Sequence, residues 1–175
     1  FRMRPASRPW YRIRQFLRHV TSTYSKQDQQ FVASVLNHAE LEQFGRLPIF
    51  EKRHAVDVAK YLSKFKKDLS SEEWLVLQKT ALLHDIGKVI LPLNPIEKSI
   101  FVILRVLFPK LVFNMAQSGK FPKSRMFLFH NIIGADILKK TGTEPDVIQL
   151  IASYEPGGKR SRFTELLSEA DEQIL

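Results

Sequence analysis

The sequence predicts an all-α fold, and three observations carry that expectation. Apolar residues recur every three or four positions along most of the chain, strand-like alternation is nearly absent, and residues suited to helix caps punctuate the periodic stretches. With 175 residues, 44% of them hydrophobic, the chain has the length of one domain and enough apolar side chain to fill its core.

Ser25 and Asp28 stand at capping-box spacing, with the acid in the place of the more usual Glu or Gln. Phe31, Val35, Ala39 and Leu41 follow near helical spacing, which predicts one helix ending near Gly45. A second helix restarts after Pro48, with His54, Val58, Tyr61, Leu62 and Phe65 on one face. Ser70 and Glu73 form another capping box, and Trp74, Leu77, Ala81 and His84 recur at three or four until Gly87, where the helix is expected to stop. Both His54 and His84 are thereby expected to point inward. Prolines 92 and 95 make LPLNPIE a rigid connection. The run SIFVILRVLFPKLVFNMA then reads as a core helix and its continuation after a kink, because Arg105, Pro109 and Lys110 interrupt it; a membrane span needs about 20 residues with few charges. The region 100–115 has two outcomes open to it, internal packing or an interface. Gly119 and Pro122 break it, a helix follows over KSRMFLFHNIIGADILKKTG, Pro145 opens PDVIQLIASY, EPGGKRSR is a basic glycine-rich loop, and FTELLSEADEQIL is the last helix.

The chain has no cysteine, which excludes disulfides, thiolate zinc sites and thiol nucleophiles, so any metal must be held by nitrogen and oxygen. No signal peptide or transmembrane segment is visible, and a cytoplasmic location is the expectation. The net charge of +9 is uneven. Residues 1–27 carry Arg2, Arg4, Arg8, Arg12, Arg14, Arg18 and Lys26 with no acid, leaving a nearly balanced remainder. Two domains of behaviour follow: a basic N-terminal arm or linker over 1–27 and a folded domain over 28–175. The arm suits nucleic acid, anionic lipid or an acidic partner surface, and it equally suits a solvated linker. Trp10, Tyr11 and Phe16 within it fit an amphipathic helix docking on its own domain as well.

The stretch TALLHDIGKV places an imidazole and a carboxylate side by side, His84 then Asp85, at the end of an apolar helix. Burying such a pair is costly unless it is hydrogen-bonded or bound to something. His54, His84, Asp85 and Asp171 are the natural ligand set for a divalent cation, mixing neutral nitrogen with anionic oxygen in a way that suits Mn²⁺, Fe²⁺, Zn²⁺, Co²⁺ or Ni²⁺ and is less distinctive for Mg²⁺. Neighbouring helical residues diverge by roughly 100°, so His84 and Asp85 meet one ion only where the helix ends or other helices bring the ion to its edge. Each residue also has an ordinary role open to it: an inward histidine as a hydrogen-bonded core residue, Asp85 as the orienter of His84, Asp171 as an exposed acid.

His54 in KRHAVDVAKYL, His84-Asp85 in LLHDIGK and Asp171 in LLSEADEQIL together resemble the HD superfamily of metal-dependent phosphohydrolases, with its HDIG-type members. The resemblance covers roughly residues 28–175 and implies a helical bundle in which those four side chains meet at one cation. Lys88 matches the lysine of HDxxK members, which lies near substrate phosphate; a solvent-facing lysine is its plain alternative. His130, ahead of a Gly-Ala pair, resembles an additional histidine of larger members that helps hold a second metal or contacts substrate. Ser153 and Tyr154 stand where members with fuller metal sets carry paired histidines, and the GYP motif of cyclic-di-GMP phosphodiesterases is missing.

The resemblance implies hydrolysis of a phosphate ester, with a nucleotide or another small phosphorylated molecule as substrate. Asp85, Lys88 and His130 are its candidate catalytic residues. His54, His84, Asp85 and Asp171 are its metal ligands, with His130 a further candidate. Arg53, Lys88, Lys159, Arg160 and Arg162 are candidate phosphate contacts, since guanidinium groups suit bidentate phosphate recognition. The alternative is a noncatalytic HD module that binds a metal or nucleotide and transmits a regulatory state.

Overall fold

A computed structural model describes residues 23–154 and 161–174. The N-terminal arm up to residue 22, together with Lys159 and Arg160, lies outside the described residues. Those described form an all-helical bundle: α1 Lys26–Val35, α2 His38–Gly45, α3 Ile49–Leu62, α4 Ser71–Leu83, α5 Pro95–Leu107, α6 Pro109–Gln117, α7 Pro122–Leu138, α8 Pro145–Ser153 and α9 Arg162–Ile174. Short 3-10 turns over Ser63–Asp68 and Ile86–Val89 follow α3 and α4. No strand occurs among the described residues.

The helix starts are chemically explicit. Ser25, Asn37, Ser70 and Asn94 each accept from the backbone N–H three residues on, and the acid at that position reaches back to the cap's own N–H. Asn37 with Glu40 corrects the sequence reading: the single helix expected to run to Gly45 is broken at Leu36–Asn37 into α1 and α2. Glu40 is then buried, accepting from Lys79 at 3.2 Å and from Thr143 Oγ1 at 2.8 Å. This fixes the direction in which α2 leaves α1. Tyr24 packs against the core, so the folded bundle begins ahead of the boundary expected at residue 28.

The core lies around α4. Every residue from Lys79 to Gly87 is buried, with Leu82, Leu83 and Ile86 wholly so. Helix α3 packs on one side of α4 and α8 on another, α9 lies along α3, and α7 crosses the turn that follows α4. Ala55, Val58, Leu62, Leu138, Ile151 and Leu167 fill the spaces between them. Burying side chains of this kind contributes roughly 1.5–3 kcal/mol each before conformational entropy is set against it.

Two expectations fail for identifiable reasons. Helix α4 ends at Leu83, four residues before Gly87, and Gly87 is not in the left-handed region. The run from Ser99 to Ala116 is not a core helix. It divides at Phe108–Pro109 into α5 and α6, bent by 119° to each other, and no described side chain of α5 is buried. The kink is proline chemistry, as expected; the exposure was not legible from an apolar run. Among the described residues no single helix is long and apolar enough to cross a membrane.

Asp28 ties α1 to α3. It is 1% exposed, and it receives Lys60 Nζ at 2.6 Å and Arg53 Nη1 at 3.0 Å. Burial works against its charge, but Lys60, the Ser25 donors and Arg53 outweigh that and hold its carboxyl down at about 2. A depressed acid contributes stability above its unfolded value and loses it as pH falls through the folded value. Asp28→Asn is expected to destabilise the protein by roughly 2 kcal/mol at neutral pH, measured by urea unfolding. The gap from wild type should narrow as the pH falls from about 4 and close only below about 2, where Asp28 is protonated and both side chains are uncharged.

Candidate metal centre

Four elements deliver the polar side chains to one place. His54 comes from the middle of α3, His84 and Asp85 from the end of α4, His130 from α7 and Asp171 from α9. The adjacent pair can face a common point because the helix has ended: Asp85 sits at φ −99° and ψ 8°, in the bridge region rather than in helix.

Ligating atoms of His54, His84 and Asp85 all lie within 4.8 Å of one another. Asp171 joins through His54, whose Nε2 is 2.9 Å from its Oδ1. The His84 and His54 rings meet edge to face at 5.5 Å. His84 donates from Nδ1 to the Ala81 carbonyl at 2.8 Å, which leaves Nε2 with its lone pair free, 3.4 Å from Asp85 Oδ2. A lone pair facing a carboxylate oxygen calls for a proton or a cation between them. His130 Nε2 stands 3.3 Å from the other oxygen of Asp85.

Charge points the same way. Asp85, Glu51 and Asp171 bring three carboxylates and Lys88 one ammonium, so with uncharged imidazoles two negative charges are left without a counterpart. A divalent cation would cancel them, and the N₂O₂ donor set suits one. The residues present therefore fit a divalent metal.

The acids are primed to stay ionised. Burial pushes the Asp85 carboxyl up, but the Lys88 ammonium at 2.5 Å, His84 and His130 outweigh it and hold it well below the usual carboxylate range. Burial likewise raises Asp171, and the hydrogen bond with His54 outweighs it and brings it down to about 2. Lys88 is desolvated too, yet Asp85 and Glu51 raise it above an ordinary lysine and keep it charged.

Four participants escaped the sequence reading. Glu51 binds Lys88 Nζ at 3.0 Å; its signal was its place one helical turn before His54. Tyr154 donates its hydroxyl to Asp171 Oδ2 at 3.1 Å and stands edge-on to His84 at 5.9 Å. Burial, then Asp171 and Asp85, push that phenol far up, so it keeps its proton. Asn131 fixes Tyr154 in place by donating to the carbonyls of Ala152 and Tyr154 at 3.1 and 3.3 Å. Ser153, its neighbour in sequence, is exposed.

Gly134 is the fourth, and with Gly87 it explains why His130 arrives at all. A Cβ built on Gly87 would stand 1.9 Å from the His130 carbonyl oxygen, and one on Gly134 would stand 2.9 Å from the Ile86 side chain. The two glycines let the turn after α4 and α7 touch backbone to backbone. Helix α7 is kinked here, with Phe129 at φ −122° and ψ 18°, immediately before His130.

The arginines expected at phosphate are placed elsewhere. Arg53 spends Nε and Nη2 on Asp57 and Nη1 on Asp28, so its guanidinium serves the α1–α3 contact. Arg162 opens α9, nine residues and about 14 Å of helix from Asp171, and its Nη2 reaches the Asp68 carbonyl at 3.3 Å.

The family model described as HD domain matches residues 52–172, more than half of the chain and a span that includes His54, His84, Asp85, Lys88, His130 and Asp171. No curated protein and no solved structure matches the chain.

Because the Gly87 contact is with backbone, it cannot be relieved by a side-chain rotation. Gly87→Ala should cost about 3 kcal/mol or more in urea unfolding. Gly45→Ala, with nothing within 4 Å of the added carbon, should leave stability within about 0.5 kcal/mol of wild type or slightly raise it.

Proposed function

The chain belongs to the HD domain family, and on that premise we propose that it hydrolyses a phosphate ester of a small phosphorylated molecule such as a nucleotide, using a divalent cation held by His54, His84, Asp85 and Asp171. The observation that carries the reading is the convergence of ligating atoms of His54, His84 and Asp85 within 4.8 Å, with Asp171 Oδ1 2.9 Å from His54 Nε2.

Bound there, such a cation supplies Lewis acidity and a water of lowered pKa. The protein's own residues supply orientation and protons. The Nδ1–H of His84 bonded to Ala81 sets the tautomer that presents Nε2 to the centre. Asp85 offers Oδ1 toward His130 and Oδ2 toward Lys88, so it stays ionised and can accept a hydrogen bond that orients an attacking water. Of the three imidazoles His130 has the most exposed side chain, 26% against 12% for His54 and 2% for His84, so it is the one an incoming substrate can reach. It is suited to hand a proton to the leaving oxygen. Lys88 has three N–H donors and two carboxylate partners, which leaves one donor for a phosphoryl oxygen.

One observation favours a second reading, a regulatory module without turnover. The Tyr154 hydroxyl occupies an oxygen of Asp171 and its ring stands against His84, so part of the centre is closed by a protein side chain.

The test is metal analysis and turnover together. Metal-reconstituted wild type should hydrolyse a panel of nucleotide and sugar phosphates, and Asp85→Ala should lose both metal and activity by at least about a hundredfold. Full activity in Asp85→Ala would contradict the catalytic assignment, whereas nucleotide-dependent thermal stabilisation of wild type with no turnover would favour the regulatory reading.

A further inference from the structure

The bent pair α5–α6 presents an apolar surface that the bundle does not use. Ile96, Ile100, Ile103 and Val106 repeat along one side of α5, and Phe108 and Leu111 continue past the bend; each of the six is at least 50% exposed. Val106, at 75%, and Phe108 stand at the elbow, where the 119° bend makes a projecting corner. Contiguous apolar surface of this kind marks an interaction site.

The surrounding charge selects the occupant. From residue 96 to 125 the chain carries Lys98, Arg105, Lys110, Lys120, Lys123 and Arg125 against the single acid Glu97, which is already paired with Lys123. A second copy seated symmetrically on this face would bring the same cations together. The chain's own residues 1–22 hold six arginines and no acid, so they match it no better. Neither helix crosses a bilayer by itself: α5 and α6 have 13 and 9 residues and turn sharply between them, while a straight span needs about 20 in line. Apolar side chains at a corner, with Arg105 and Lys110 beside it in sequence, are what a helix needs to lie in the headgroup layer with its greasy face a few ångströms deep.

We propose that the α5–α6 elbow docks this protein on the surface of an anionic lipid bilayer. Helix α6 packs on α7, where Phe113 and Phe129 meet at 6.2 Å, so the docked surface is one ring pair away from the backbone that positions His130.

The test is co-sedimentation of the full chain with vesicles of phosphatidylcholine alone and of phosphatidylcholine mixed with phosphatidylserine. Wild type should partition onto the mixed vesicles and at least about tenfold less onto the neutral ones. The double substitution Val106→Asp and Phe108→Asp should lower that partitioning at least about tenfold, and the pair Arg105→Glu and Lys110→Glu should do the same. A second readout needs no destabilising change: Phe108→Trp should add a fluorescence component that shifts to the blue with mixed vesicles and is quenched by brominated acyl chains. The proposal is overturned if wild type stays in the supernatant, if both double variants bind like wild type, which would put the lipid contact on the N-terminal arm, or if the introduced indole does not respond. It is equally overturned if sedimentation shows a lipid-free dimer that Val106→Asp and Phe108→Asp dissolve, because a second copy would then own the face.

Discussion

Asp85 is buried and Asp171 partly so, on different helices, and with uncharged imidazoles the side chains around them would hold too little positive charge to match. That electrostatic deficit is the constraint from which the rest of the site follows. Burial alone would push both carboxyls toward neutrality, and the structure opposes it with Lys88 and three imidazoles rather than with solvent. A bundle that only needed to fold would be better served by apolar side chains at these positions, since a buried ion pair stabilises little relative to hydrophobic replacements. Here the polar groups have instead been brought to one point, where a divalent cation could be held.

Packing makes this convergence possible. The early end of α4 turns Asp85 out of helical register, and two glycines let α7 approach the following turn closely enough to bring His130 within reach of Asp85. Stability and site are therefore coupled at Gly87, while the network around Asp28 carries stability without touching the centre.

Much of this was legible in the sequence because it is local. Capping boxes at Ser25 and Ser70, the restart after Pro48 and the proline break at 109 all follow from neighbouring residues, and the structure has each of them. The Asn37 box is equally local, but apolar spacing runs through it and masks the break. What could not be read was set by approach between distant elements. Gly87 looks like a helix stop in sequence and acts as a point of contact with His130. Arg53 looks like a phosphate ligand and is held by Asp28 and Asp57. Tyr154 looked like a lost ligand position and is a hydrogen-bond donor to Asp171. The apolar run after residue 95 had the composition of a core helix, and only the three-dimensional fold shows that nothing among the described residues covers much of it.

The central claim is that one cation sits among His54, His84, Asp85 and Asp171, and Mn²⁺ titration of metal-free protein followed by histidine ring proton resonances tests it most directly. The account predicts that the His54 and His84 signals broaden first, at substoichiometric Mn²⁺, with His130 close behind and the exposed ring of His38 last. Uniform broadening of all the rings, or sharp His54 and His84 signals with stoichiometric metal present, would contradict it.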